Sequence, residues 1–186
     1  MIKIPPSNLV LDKALEGIEV ILLLGGPLGS GKTTFAERLI RGSETSSFLQ
    51  GYRGSLSRTE AKSLPRKTFM PGGLIVEFGT NQLHEPEQYL STRVYIAAIQ
   101  RRANVVGAHT LEVSGWHLYR RYLERMHGLQ FLHLGKLKTL AHYALRREAQ
   151  HGVASWKSLL AECGIENRPV EHRSQAAIST AFSGMR

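Results

Sequence analysis

Apolar residues gather along this chain in short continuous runs, separated by longer stretches of helical spacing. Residues 18–24 read Ile-Glu-Val-Ile-Leu-Leu-Leu, a run of strand length that predicts a strand buried on both faces. Residues 73–78, 104–108 and 129–134 carry comparable runs and predict further buried strands. Between them the period changes. Residues 9–15, 33–41, 85–102, 116–126, 139–150 and 155–163 space their apolar positions as helices do, and Pro86 sits where a first helical turn accepts proline. Residues 42–72 are rich in Gly, Ser, Arg and Pro and predict a long connection with one short helix near 58–64. The polar residues from Glu166 onward predict a loose tail.

Strands alternating with helices predict an α/β fold, a three-layer sandwich with a mostly parallel sheet covered on both faces. At 186 residues the chain predicts one domain spanning 1–186. Ligands of such sheets bind at the carboxyl ends of the strands.

The end of the first predicted strand carries the chemistry. Gly26-Pro27-Leu28-Gly29-Ser30-Gly31-Lys32-Thr33 is a G-x-x-x-x-G-K-T sequence, continued by Thr34 and a predicted helix. Strand, glycine loop and helix in that order form the arrangement that wraps phosphates. The glycines let successive backbone N–H groups turn inward, and the helix adds its positive end. Residues Gly26 to Thr34 therefore predict the cradle of a nucleoside triphosphate, ATP or GTP, with Mg2+. Lys32 would neutralise the β- and γ-phosphates, and the Thr33 hydroxyl would ligate the metal. Together they predict a P-loop nucleoside triphosphate hydrolase fold.

The acidic inventory narrows the partners of that loop. Of 15 acidic residues only Asp12 is aspartate, and it precedes the first strand. A carboxylate beside magnesium must then be a glutamate. Glu77, near the end of an apolar strand, is the first candidate, holding the metal and polarising an attacking water. Glu112 is the alternative. Arg120, Arg121 and Arg125 lie on one predicted helix, where they would serve either as a solvated face or as a phosphate clamp. The eight histidines show no close ligand spacing; His84 and His109, read as lying just past strand ends, are the best placed for a transition metal.

Composition changes the picture less. The formal charge of +9 favours an anionic partner, either nucleotide, nucleic acid, acidic protein or a membrane surface. No nucleic-acid-binding motif supports the second. No apolar run approaches the ~20 residues that cross a bilayer, and the N-terminus lacks the apolar core of a signal peptide. Cys163 is the single cysteine, which excludes an internal disulfide and a cysteine cluster and fits a reducing cytoplasm.

The loop, with its leading Gly25-Gly26, resembles that of the CobW-type metal-chaperone GTPases and their urease and hydrogenase accessory relatives. The resemblance continues in order. Leu74-Ile75-Val76-Glu77 and then Leu83-His84-Glu85-Pro86 look like the family's strand ending in glutamate and its Leu-Ala-Asp-Pro turn. Val105-Val106-Gly107-Ala108 looks like Val-Val-Asp-Ala, and residues 132–138 look like a strand running into Asn-Lys-x-Asp. The resemblance covers residues about 18–140 in four pieces, of which only the loop is specific. It implies an accessory-GTPase-like molecular switch, with Lys32 and Thr33 on phosphates and magnesium, Glu77 near the metal and Lys136 beside the base. It also implies a protein partner and a nucleotide-dependent homodimer.

Gly107, Glu85 and Lys138 stand where that family has aspartates. An ammonium at Lys138 only donates, so it offers guanine no acceptor. The family's Cys-x-Cys-Cys metal motif is absent. Beside the switch stand two further readings: a small P-loop kinase, with the γ-phosphate passed to a small acceptor, and a nucleotide-binding module with little turnover.

Overall fold

The computed structural model describes residues 8–112 and 135–171. Helix α1 (Asn8–Ala14) leads into β1 (Ile18–Gly26), which is followed by α2 (Lys32–Ile40). Strand β2 (Leu56–Glu60), β3 (Gly72–Gly79), α3 (Pro86–Gln100), β4 (Val105–Glu112), α4 (Gly135–Glu162) and β5 (Asn167–Glu171) complete the regular elements among the described residues. Short 3₁₀ turns lie at Ser47–Leu49 and Ala61–Arg66.

The five strands form one sheet in the order β2-β3-β1-β4-β5, and every neighbouring pair is parallel. β1 is the central strand. Its residues Ile21, Leu22, Leu23 and Leu24 are fully buried, because a parallel strand with helices on both faces has no solvent side. Ile21 and Leu23 pack with Leu74, Val76 and Phe78 of β3 against Leu11 of α1, Ile96 and Ile99 of α3, and Trp156, Leu159 and Leu160 of α4. Leu22 and Leu24 pack with Ile75 and Leu111 against Phe35, Ala36 and Leu39 of α2. Each such aliphatic side chain contributes about 1.5–3 kcal/mol on full burial. The sheet thus has helices on both faces, as the alternation of periods predicts. Among the described residues no helix is long and apolar enough to cross a membrane.

Several elements differ from the sequence reading. Residues 56–60 form a strand inside the expected long connection. Leu-Ser-Arg-Thr-Glu has no apolar run to announce it; an edge strand gets its pairing from its neighbour, here β3 from Leu56↔Gly73 to Glu60↔Glu77. The helix expected near 58–64 is the 3₁₀ turn that follows, anchored by fully buried Leu64.

The third strand runs on to Glu112. The polar tail contains β5, which pairs with β4 as the opposite edge. The two helices expected over 139–150 and 155–163 are one, α4. Gly152 does not break it; a methyl group there would lie 2.0 Å from the Thr80 carbonyl oxygen, so the glycine is a contact surface. α4 ends where Gly164 takes φ +66 and the Ile165 and Gly164 N–H groups close on the Leu160 and Ala161 carbonyls, a left-handed helix stop. The expected helix at 116–126 and strand at 129–134 lie outside the described residues.

Candidate functional site: the glycine loop

β1 delivers Gly26 to the carboxyl edge of the sheet, and α2 starts at Lys32, so the loop spans only residues 27–31. It closes with a Ser30 N–H bond to the Pro27 carbonyl at 3.1 Å. Gly29 and Gly31 take φ +83 and +91, a region that costs other residues about 1–2 kcal/mol. Space is as tight as the backbone. A methyl at Gly26 would sit 2.6 Å from Ser30 Oγ and 3.0 Å from the Leu111 carbonyl oxygen. Pro27 and Ser30 are buried, whereas Leu28, Thr33 and Thr34 face solvent. No side chain caps the N-terminus of α2. The first turn of a helix has no internal acceptors for its N–H groups, and an uncapped one offers them to an anion.

Lys32 curls over this loop. Its Nζ donates to the carbonyl oxygens of Gly26 (2.7 Å) and Pro27 (2.9 Å) and lies 3.4 Å from Ser30 Oγ. Thr33 points toward β3, and its Oγ1 donates to Glu77 Oε2 at 2.8 Å. The register Leu24↔Glu77 explains the meeting: it sets Glu77 two residues short of the loop on the adjacent strand. Glu77 is buried, with Arg58 Nη1 3.3 Å from its other oxygen. Arg58 Nη2 in turn donates to Glu37 Oε1 of α2 at 3.0 Å. A hydroxyl and a carboxylate are hard oxygen donors of the kind magnesium takes, one or two from protein and the rest from phosphate and water.

The turn after β3 supports the loop from the side. The Thr80 N–H reaches the Gly26 carbonyl at 3.2 Å, and Asn81 Oδ1 accepts the Leu28 N–H at 2.7 Å. Arg58, Thr80 and Asn81 were not legible as site residues. None belongs to a motif, and only the pairing of β2 and β1 with β3 brings them to the loop.

The remaining candidates fall elsewhere. Glu112, at the end of β4, pairs with Lys157 at 2.5 Å. Lys136 and Lys138 lie in the first turns of α4, so the stretch read as a base-recognition loop is helical from Gly135 onward. Gly107 faces Phe48, and a methyl there would lie 2.4 Å from the ring, which leaves no room for the family's aspartate. Glu85 precedes the first turn of α3. Arg120, Arg121 and Arg125 lie outside the described residues. Among the described residues no three His, Cys, Asp or Glu side chains gather as a metal cluster.

His84 stacks edge-on with His151 at 6.5 Å. His109 does not lie past a strand end; it is buried inside β4. Its Nδ1 faces the Arg168 carbonyl at 3.1 Å and must carry the proton, which leaves Nε2 to accept from Ser46 Oγ at 2.8 Å. Phe35 and Phe48 meet the ring edge-on. Burial holds the His109 pKa below its usual value, only partly offset by the Arg168 carbonyl. Below about pH 6.5 the unfolded chain therefore binds a proton that the folded chain resists. Stability is full above that pH and falls as the pH drops through it toward the lowered folded value. Urea midpoints at pH 7 and pH 5 should fall further in wild type than in His109→Gln; parallel losses would refute the assignment.

A scan against protein-family models found no match to this chain, and no curated protein matches its sequence.

Proposed function

We propose that this protein binds the triphosphate of ATP or GTP together with Mg2+ at Gly26 to Thr34 and cleaves the γ-phosphate, with water as the acceptor. The observation that carries this reading is the 2.8 Å contact between Thr33 Oγ1 and Glu77 Oε2 at the mouth of the glycine loop. A phosphate-loop sequence alone predicts a cradle; a buried carboxylate brought to its threonine by a different strand completes a site for a phosphate-bound cation.

In this reading the loop N–H groups and the first turn of α2 hold the phosphates. Lys32, now folded onto the loop carbonyls, turns its ammonium to the β- and γ-oxygens and stabilises the charge that develops there. Mg2+ supplies further charge neutralisation when bound. Both Glu77 oxygens are engaged, by Thr33 and Arg58, which suits orienting the metal corner. A nucleotide-dependent switch with a protein partner or a second copy, in a cytoplasmic setting, is the biological form we propose.

A small-acceptor kinase is the second reading, and one observation favours it. Residues 56–60, inside the 42–72 connection that the switch reading expects the nucleotide to order, are paired along β3, and the turn after them is pinned by Leu64. A fixed wall beside the phosphate site suits a bound acceptor better than a segment that orders and releases.

Calorimetry with non-hydrolysable ATP and GTP analogues and Mg2+ tests the shared core of both readings. Micromolar binding of one analogue is the expected result. Binding of neither overturns both. Release of inorganic phosphate without an added acceptor then separates the hydrolase from the kinase.

A further inference from the structure

Arg58 is in direct contact with the buried carboxylate of the candidate metal corner. It comes from β2, lies between Glu77 and Glu37, and holds both at 3.3 and 3.0 Å. Glu77 is 5% exposed at its side chain, whereas Arg58 and Glu37 are 36% and 41% exposed. A buried carboxylate without a counter-charge is unstable and attracts any cation within reach. With Arg58 in place, the Glu77 charge is partly offset where a metal would meet it. Thr33 then offers only a neutral hydroxyl, which already donates to Glu77.

We propose that Arg58 is a positioning residue whose charge makes divalent-cation binding at Thr33 and Glu77 conditional on the nucleotide. Arg58 offsets one of the two carboxylate charges at the corner, which weakens its attraction for a dication. A triphosphate brings the negative charge that the cation follows, so metal and nucleotide enter together. This rests on the reading of Thr33 and Glu77 as the metal corner. It adds an order of binding and a residue that enforces it.

The test uses Mn2+ alone, followed by electron paramagnetic resonance on the nucleotide-free protein. Wild type is expected to show no saturable Mn2+ binding up to millimolar concentration. Arg58→Gln keeps a hydrogen-bond donor but removes the charge, leaving Glu37 and Glu77 unopposed. It is expected to bind Mn2+ at least about tenfold more tightly, a conservative figure for unit charges in a partly exposed site. Arg58→Lys restores the charge and the wild-type behaviour. The double variant Arg58→Gln/Glu77→Gln loses the gained binding.

Tight Mn2+ binding by wild type overturns the proposal without need of any variant. So does an Arg58→Gln protein that gains no binding, or a double variant that keeps it. A purely structural Arg58 would lower the urea midpoint and leave the Mn2+ signal unchanged. Failure of both nucleotide analogues to bind wild type would end the nucleotide reading instead, and is seen in a separate titration.

Discussion

Lys32→Ala is expected to lower γ-phosphate cleavage by about a hundred- to a thousand-fold, or about 2.7–4 kcal/mol of transition-state stabilisation. The argument is geometric. The Lys32 ammonium lies inside the bend of the loop, bonded to the carbonyl oxygens of Gly26 and Pro27. Those carbonyls hold the ammonium at the loop, so a phosphate entering it meets a cation that only has to turn from carbonyl to phosphate oxygens. Lys32 brings a full unit charge to this loop, whereas the helix end adds only a partial one. Alanine removes the whole of the side-chain charge and leaves the N–H groups intact. Analogue affinity therefore falls with turnover but does not vanish, while the urea midpoint stays close to wild type. Phosphate release and calorimetry on the same preparation read both effects. Turnover within a factor of two of wild type would remove Lys32 from the chemistry.

Trp156→Ala is expected to destabilise the protein by about 3–5 kcal/mol, a large share of the 5–15 kcal/mol typical of a domain. Trp156 is fully buried, with its ring 5.2 Å from that of Phe78. It lies against the backbone of Gly25, where a methyl group would come within 2.1 Å of Nε1. Gly25 thus seats α4 on β1, one residue before the loop, and its smallness serves packing. Among the described residues the indole N–H has no hydrogen-bond partner. Trp156→Phe removes that orphaned donor while retaining an aromatic ring, so its cost should be well below that of alanine. Urea midpoints for the two variants decide it. Equal losses would mean that the ring phenylalanine retains contributes nothing.

Much of this architecture is written in local pattern. The apolar runs at 18–24 and 73–78 lie within β1 and β3, and the helical spacing at 85–102 contains α3. Those elements are buried on one or more faces, so their composition reports their environment. The edge strands escaped notice for the converse reason. β2 and β5 read Leu-Ser-Arg-Thr-Glu and Asn-Arg-Pro-Val-Glu; a strand paired on one side needs little apolar surface, and its polar residues look like loop. α4 was expected as two helices; Gly152, between them, continues the helix and packs against the Thr80 backbone.

The candidate site divides the same way. Its loop is contiguous, so spacing alone placed Gly26, Gly31, Lys32 and Thr33 in one turn, and strand-end position selected Glu77 among the glutamates. Arg58 reaches Glu77 from 19 residues away along the chain, and Asn81 reaches Leu28 of the loop from 53. His109 looked like a surface ligand until β4 carried it past its expected end and into the core. The sequence by itself determined the α/β class, the first buried strand, the glycine loop and the helix behind it, because each depends on neighbours in the chain. Strand order, the pairing of Glu77 with Thr33 and the Arg58 counter-charge were decided by tertiary structure alone. They depend on register between strands, which no local pattern encodes.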